Sequence, residues 1–241
     1  MPRLLVINPN TSSAVSALLQ RHVQAGVGDA LAVQTLTARF GAPYIASEAG
    51  YAVANHAVLD AWAADVAKNG RPDAVLIGCF GDPGLFALRE GAGVPVGGLA
   101  EAAFSAAAWH GRFAIVTGGD RWRPMLARLA HALGHTQTLA GIHTVAPTGA
   151  QLAADPVGAR QLLADACRQA AERFGAQAVI LGGAGLAGMA ADIASQVPVP
   201  LIDSVQAGAQ WAVEALKRKE ALDSGFGVDW QNVSWELAAL D

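Results

Sequence analysis

DAVLIGCFGDPGL, residues 73–85, decides the fold of this chain, because a similar stretch occurs again further along. Residues 177–189 read QAVILGGAGLAGM, so that an apolar run, a glycine and a glycine-rich turn are found in both places. An apolar run that ends in such a turn is typical of a buried strand and the loop after it. The repetition predicts two half-domains of similar plan.

A second pair of stretches supports this repeat. Residues 3–13 read RLLVINPNTSS and residues 112–122 read RFAIVTGGDRW, and each contains a basic residue, an apolar strand and a polar turn. In the repeat, Cys79 of the first half corresponds to Gly183 of the second half. Only the first half therefore supplies a thiol.

Strands and helices are predicted to alternate through both halves. The predicted strands are residues 4–7, 30–36, 74–77, 94–96, 113–116, 142–145, 178–181 and 199–202. This order predicts an α/β fold of two similar half-domains, each with a parallel sheet, which are related by pseudo-two-fold symmetry and hold the site in the cleft between them. Ligands of such sheets bind at the carboxyl ends of the strands, so the turns after the strands are the predicted walls of the site.

The repeat also predicts where the chain divides. Residues 1–111 are the predicted first half, residues 112–220 the second half and residues 221–241 a C-terminal tail. Trp230 and Trp235 stand in a mostly polar stretch of this tail. They predict that the tail packs onto the rest of the chain or onto a neighbouring subunit.

Composition and charge exclude several classes of partner. The chain has 241 residues and a net charge of −4, and its basic residues form no long run, so we expect no nucleic-acid partner. It shows no signal-peptide pattern and no apolar run that could span a bilayer, which predicts a cytoplasmic protein without a membrane partner. Its two cysteines are far apart and no spaced Cys/His cluster is present, so neither a disulfide framework nor a metal site is expected.

Cys79 is the candidate catalytic group. It follows a buried strand within a loop that also contains Gly78, Gly81 and Gly84, where backbone amides can point at an anion. Such amides lower the pKa of a thiol and favour the reactive thiolate. The alternative is a small buried apolar residue, which is the predicted role of Cys167 in a helical apolar stripe.

A glycine pattern in the second half matches a dinucleotide-binding fingerprint. Gly183, Gly185 and Gly188 follow a predicted strand, and Asp203 comes twenty residues after the first of them. Three glycines at this spacing arise easily in a chain with 27 glycines, and the internal repeat explains the same residues. We therefore expect no cofactor, and a dinucleotide oxidoreductase is the last of the alternatives.

Four motifs carry a resemblance to a known family. They are INPNTS at residues 7–12, CFGDPGL at 79–85, GLAEAA at 98–103 and ILGGAGLAGMA at 180–190. With them the chain resembles the aspartate/glutamate/hydantoin racemase superfamily, and most of all its hydantoin and allantoin racemases. The resemblance implies cofactor-independent proton transfer at a carbon next to a carbonyl, a small-molecule substrate with carbonyl or carboxylate groups, and a homo-oligomer.

The resemblance also implies the residues of the site. In those relatives a cysteine from each half flanks the substrate; the first corresponds to Cys79, whereas the second corresponds to Gly183, so one catalytic side chain is missing here. Asn10 is then expected to bind a substrate carbonyl. The implied substrate-binding residues are Asn10, Thr11, Pro43, Tyr44, Phe80, Gly81, Thr117, Gly118, Gly119, Ala184 and Gly185.

One thiol leaves three functions open. The first is an isomerase, a racemase of amino acids and their derivatives, in which Cys79 is the acid/base thiol. The second is a lyase similar to the arylmalonate decarboxylases, in which a single cysteine protonates one face. The third is a protein that binds a small anion without turnover.

Overall fold

The computed structural model describes residues 1–147, 149–217 and 224–240. The strands are β1 (Arg3–Asn8), β2 (Ala32–Thr37), β3 (Ala74–Ile77), β4 (Val96–Gly98), β5 (Phe113–Gly118), β6 (Leu139–Val145), β7 (Ala178–Leu181) and β8 (Leu201–Asp203). The helices are α1 (Ser13–Val27), α2 (Glu48–Asn69), α3 (Leu85–Gly91), α4 (Leu99–Ala108), α5 (Trp122–Ala132), α6 (Gly149–Ala154), α7 (Pro156–Phe174), α8 (Met189–Ile193), α9 (Ser204–Ala215) and α10 (Trp235–Ala238). No helix in these described ranges combines the length and the apolar character that a bilayer requires.

The strands form two parallel sheets of the same plan. One sheet has the order β2-β1-β3-β4 and the other the order β6-β5-β7-β8. The apolar runs of β3 and β7 lie second from one edge of their sheets and are buried along their whole length, as expected for parallel strands covered on both faces. The α/β class and the two similar half-domains are thereby confirmed.

Six of the eight strands differ from their predicted bounds, and two of these differences have a clear physical reason. β5 continues through Thr117 and Gly118, which were predicted as a turn, because these residues pair with Thr144 and Val145 of β6. β4 begins at Val96 instead of residue 94, because Pro95 has no N–H to donate to a ladder.

The chain divides into two compact units, one of Met1–Gly98 with Ala209–Asp241 and one of Leu99–Gly208. Each unit contains one of the two sheets. The predicted boundary between residues 111 and 112 is placed from the repeat in the sequence, and it stays a prediction. The predicted boundary between residues 220 and 221 lies outside the described residues.

In the first unit, the C-terminal segment packs on α2. Arg39 donates from its guanidinium to Asp60 of α2 at 2.6 and 2.7 Å and to Glu236 of α10 at 2.8 Å. The indole of Trp235 stays exposed, whereas Leu237 is buried. The predicted packing of the tail onto the rest of the chain is confirmed for its described part.

The second unit has a core of small side chains against α7. Cys167 is fully buried there among Leu163, Ala166 and Ala170. Burial raises the pKa of its thiol to about 12. The prediction that Cys167 is part of the core is confirmed.

Candidate functional site

In the first unit, three loops meet at the carboxyl edge of the sheet. β1 and β3 are neighbours with Ile7 opposite Ile77, and the Gly78 N–H extends the pairing by donating to the Ile7 carbonyl oxygen at 2.8 Å. The Thr11 N–H donates to the Ala42 carbonyl oxygen at 3.1 Å, which joins the loop after β1 to the loop after β2. The predicted residues Asn10, Thr11, Pro43, Tyr44, Cys79, Phe80 and Gly81 therefore all belong to one edge of one sheet.

A buried polar network fixes the side chain of Asn10. Its Oδ1 accepts from the Ser12 N–H at 2.9 Å and from Asn8 Nδ2 at 3.0 Å. Because a backbone N–H can only donate, the amide must turn its oxygen toward Ser12. Nδ2 has no hydrogen-bond acceptor in the described part of the chain, so Asn10 presents a fixed donor.

The network continues away from the loop. Asn8 Nδ2 also donates to Ser16 Oγ at 3.0 Å, and that hydroxyl lies 2.6 Å from Thr37 Oγ1 at the end of β2. Asn8 is fully buried. These contacts tie the orientation of Asn10 to two strands and to α1, so the donor is preorganised and does not depend on a mobile loop.

The thiol of Cys79 does not have the property that the sequence predicts. The residue is 8% exposed at the end of β3. Burial raises the pKa of Cys79 far above its usual range, and the negative charge of Asp82 raises it further. The predicted lowering of this pKa by backbone amides is therefore wrong, and the resting state of Cys79 is the protonated thiol.

The loop that carries Cys79 is held by side chains from α2. The Tyr51 hydroxyl donates to the Gly81 carbonyl oxygen at 2.8 Å. One turn later on the same helix, Asn55 Oδ1 accepts from the Gly84 N–H at 2.6 Å. Gly84 has a φ of +76° and packs closely on α2, so a side chain would be poorly accommodated there.

Asp82 holds the same loop from the other side. It is buried, and its carboxyl group fills the space beside Gly98 in which a Cβ would otherwise lie. Asp82, Tyr51 and Asn55 were not among the predicted site residues. The signal for the last two was their i, i+4 spacing on a predicted helix, which places two polar side chains on one face.

In the second unit, the predicted residues at the end of β5 and directly after it are only partly free to bind. The Gly119 N–H donates to the Val145 carbonyl oxygen at 2.9 Å, so this amide is already used within the chain. The Thr117 side chain is buried and makes no hydrogen bond to any other described residue. Its hydroxyl is therefore the stronger candidate for a substrate contact.

Gly183 lies two residues after the end of β7 and is the N-cap of a short 3₁₀ turn, Ala184–Leu186. Its backbone has φ +147° and ψ +130°, a conformation that residues other than glycine rarely adopt. The Gly183 N–H donates to Ser204 Oγ at 3.2 Å. A cysteine at this position would thus need an altered backbone as well as a new side chain.

The glycine pattern of the second unit has a structural explanation. The Asp203 carboxylate accepts from the backbone N–H groups of Gly188, Val205 and Gln206 at 2.8 to 3.1 Å. It therefore caps the start of α9 and fixes the loop after β7. A dinucleotide site would need this carboxylate for a ribose, and α8 is too short to be the long helix of that motif.

Within the described residues, no group of three or more His, Cys, Asp or Glu side chains is arranged to hold a metal ion.

Comparisons with known proteins agree with this architecture. The family model described as Asp/Glu/Hydantoin racemase matches residues 4–212. A hydantoin racemase from Paenarthrobacter aurescens is 33% identical over 212 residues, which cover 87% of this chain and 89% of that protein. The solved allantoin racemase from Klebsiella pneumoniae is 32% identical with a TM-score of 0.84, and the match covers 99% of this chain and 93% of that one.

A more distant structure shares the fold alone. Unliganded arylmalonate decarboxylase is 20% identical, with a TM-score of 0.62, over 95% of this chain and 98% of that one.

Proposed function

The chain belongs to the Asp/Glu/hydantoin racemase family, and on this premise we propose that it transfers a proton at a carbon next to a carbonyl of a hydantoin-like or amino-acid-derived substrate, without a cofactor. Cys79 is the acid/base thiol. One observation carries the proposal: the Cys79 loop and the fixed donor of Asn10 belong to the same edge of the same sheet. We also propose that the protein is a homo-oligomer and is located in the cytoplasm.

The role of Asn10 follows from the charge that the reaction creates. Loss of a proton next to a carbonyl places negative charge on the carbonyl oxygen, which a fixed donor stabilises more than it stabilises the neutral substrate. Asn10 Nδ2 is such a donor because the Ser12 N–H and Asn8 Nδ2 already hold its Oδ1. In the second unit, the Thr117 hydroxyl remains a proposed substrate-binding group.

Gly183 changes what this site can do. In the proposed racemase chemistry, one group removes the proton and another returns a proton to the opposite face. Glycine has no side chain to do so, and positioned acid or base groups contribute about a hundredfold to ten-thousandfold. We therefore propose that exchange of the substrate proton on one face is faster than inversion.

Decarboxylation is the second candidate, because Cys79 rests as a thiol. When a malonate-type substrate loses carbon dioxide, the C–C bond breaks and its electron pair remains on the carbon as an enolate. The S–H bond of Cys79 then breaks and its proton goes to that carbon, leaving a thiolate that water reprotonates. This route needs one acid and no base.

The experiment that tests both candidates is proton NMR of an enantiopure 5-substituted hydantoin in deuterium oxide, with optical rotation followed in parallel. The wild-type protein is expected to exchange the α-proton faster than it changes the rotation. Cys79→Ala and a sample without protein set the background. A disubstituted malonate is tested with the same proteins, and an optically active product favours the lyase.

The proposal is contradicted if folded wild-type protein shows neither reaction above the Cys79→Ala background. The small-anion binder then becomes the leading function. Ligand-induced stabilisation that survives in Cys79→Ala would support that reading, because a binder does not need the thiol.

A further inference from the structure

We propose that Ser204 is a positioning residue that holds the backbone of Gly183 in a conformation reserved for glycine, and so decides that position 183 carries no acid or base side chain. The inference deepens the proposed function and rests on it for the chemistry expected at position 183. It starts from one contact, in which the Gly183 N–H donates to Ser204 Oγ at 3.2 Å. Ser204 was not among the predicted site residues.

The loop after β7 starts from a fixed level of the sheet. Leu181, the last residue of β7, pairs with Val116 of β5 on one side and with Asp203 of β8 on the other. The Gly182 N–H then donates to the Val116 carbonyl oxygen at 2.9 Å. Gly182 is therefore still held by β5, and the chain leaves the sheet at Gly183.

The peptide groups on both sides of Gly183 are held by hydrogen bonds. The group before it contains the N–H that donates to Ser204 Oγ. The group after it contains the Gly183 carbonyl oxygen, which accepts from the Leu186 N–H at 2.9 Å. Because φ and ψ are the only soft rotations between these two planar groups, fixing both groups fixes the backbone of Gly183. The result is φ +147° and ψ +130°, a combination that is nearly restricted to glycine.

Ser204 is a rigid anchor for this contact. The residue is 1% exposed and is the first residue of α9. The carboxylate of the preceding Asp203 accepts from the Val205 and Gln206 N–H groups and so fixes the start of this helix. The same carboxylate accepts from the Gly188 N–H at 2.8 Å, at the far end of the loop. The junction of β8 and α9 therefore holds the loop at both ends.

Lack of space does not explain the glycine at position 183. The atom nearest to a Cβ at this position would be Leu186 Cγ at 3.4 Å, which is an ordinary contact. The backbone conformation opposes a side chain, and the Ser204 contact maintains that conformation. Replacement of Gly183 alone therefore leaves the new side chain on a strained backbone, whereas replacement of Ser204 as well lets the backbone relax.

A double-mutant cycle tests the proposal without any substrate. Urea unfolding is measured for wild type, Gly183→Ala, Ser204→Ala and the protein with both substitutions. Gly183→Ala is expected to lower the unfolding midpoint by about 0.5–1.5 M when Ser204 is present. When residue 204 is already alanine, the same change is expected to lower the midpoint by at least about 0.25 M less.

Gly175→Ala is the matched control, with and without Ser204→Ala. Gly175 also has a positive φ, +56°, and open space around a Cβ, but it follows α7 and precedes β7, at the opposite end of that strand from position 183. Its effect on the midpoint is expected to be the same in both backgrounds. The proposal is overturned if Gly183→Ala lowers the midpoint equally with and without Ser204, or if Gly175→Ala shows the same relief.

Amide hydrogen exchange followed by NMR reports on the contact itself. In Ser204→Ala the Gly183 N–H is expected to exchange about two- to tenfold faster, which corresponds to the loss of one hydrogen bond. The Gly188 N–H, which Asp203 holds, is expected to keep its wild-type rate. An unchanged rate for Gly183 contradicts the proposal. This measurement needs only the single variant, so it also decides the case in which the protein with both substitutions does not fold.

Optical rotation of an enantiopure 5-substituted hydantoin connects the contact to chemistry. Gly183→Cys combined with Ser204→Ala is expected to change the rotation about tenfold to a hundredfold faster than Gly183→Cys alone, because the new thiol is no longer held on a strained backbone. In that step its S–H bond breaks and a C–H bond forms on the second face of the substrate. Equal rates contradict the proposal. If no variant reacts, the proposed function fails, whereas the double-mutant cycle and the amide exchange still decide the role of Ser204.

Discussion

Replacing Gly183 by cysteine is expected to lower the free energy of unfolding as well as to change the activity. The position has φ +147° and ψ +130°. A Cβ added there would lie 3.4 Å from Leu186 Cγ and 3.5 Å from Leu186 Cδ1, which are ordinary van der Waals distances. The space is therefore sufficient, and the backbone alone opposes the substitution.

The cost can be estimated from that backbone. A residue with a side chain in a backbone conformation that is nearly reserved for glycine lowers the free energy of unfolding by about 1–3 kcal/mol. With a denaturant slope of about 2 kcal/mol per molar urea, the unfolding midpoint falls by about 0.5–1.5 M. A domain of ordinary stability, about 5–15 kcal/mol, remains folded after such a loss.

Gly183→Ala is the matched control, because it adds the same Cβ without a thiol. Urea unfolding followed by circular dichroism is expected to show the same loss for both variants. Optical rotation of an enantiopure hydantoin is expected to change about a hundredfold to ten-thousandfold faster with Gly183→Cys than with Gly183→Ala. The backbone argument is refuted if Gly183→Ala is as stable as wild type, and the catalytic one if both variants racemise equally.

Two further substitutions test the first unit. Asn10→Asp keeps the oxygen that accepts from the Ser12 N–H but removes the free donor. We expect kcat/KM for α-proton exchange to fall about tenfold to a hundredfold, with an unchanged melting temperature. An unchanged kcat/KM would exclude Asn10 from the site. Arg39→Ala leaves the buried Asp60 unpaired and should cost about 2 kcal/mol in urea unfolding, whereas Arg160→Ala, which breaks an exposed pair, should cost less than about 1 kcal/mol. Burial raises the pKa of Asp60, but hydrogen bonds and nearby positive charges, with Arg39 the largest contributor among them, together lower it more. This stabilisation therefore exists above the unfolded-state pKa, about 3.9, and the difference between wild type and Arg39→Ala should vanish in more acidic solution. Equal losses for the two arginine variants would contradict this account.

The sequence was sufficient to predict two parallel sheets, because the decisive signals are local. β3 and β7 were predicted at their observed bounds, since each is an apolar run that a glycine ends. The plan of both sheets follows from the repetition of that pattern. Thr117 and Gly118 could not be assigned correctly, because their place in β5 depends on pairing with β6 and not on their own propensities.

The properties of the site were harder to predict from the sequence. The glycines around Cys79 are visible in the sequence, but its burial and the direction of the Asp82 carboxylate are not, so the predicted change of the thiol pKa had the wrong sign. The free Nδ2 of Asn10 likewise depends on which atom of its side-chain amide faces the Ser12 N–H. Such features arise from tertiary contacts among residues whose types alone allow several arrangements.

The division of the chain has a consequence for biosynthesis. The first unit is made of Met1–Gly98 and Ala209–Asp241, so all of Leu99–Gly208 leaves the ribosome before the first unit is complete. Domains generally fold as units during synthesis, so the second unit can reach its native state while Arg39, already able to pair with Asp60 of α2, still lacks Glu236 of α10. Until then the face of α2 on which α10 packs stays uncovered.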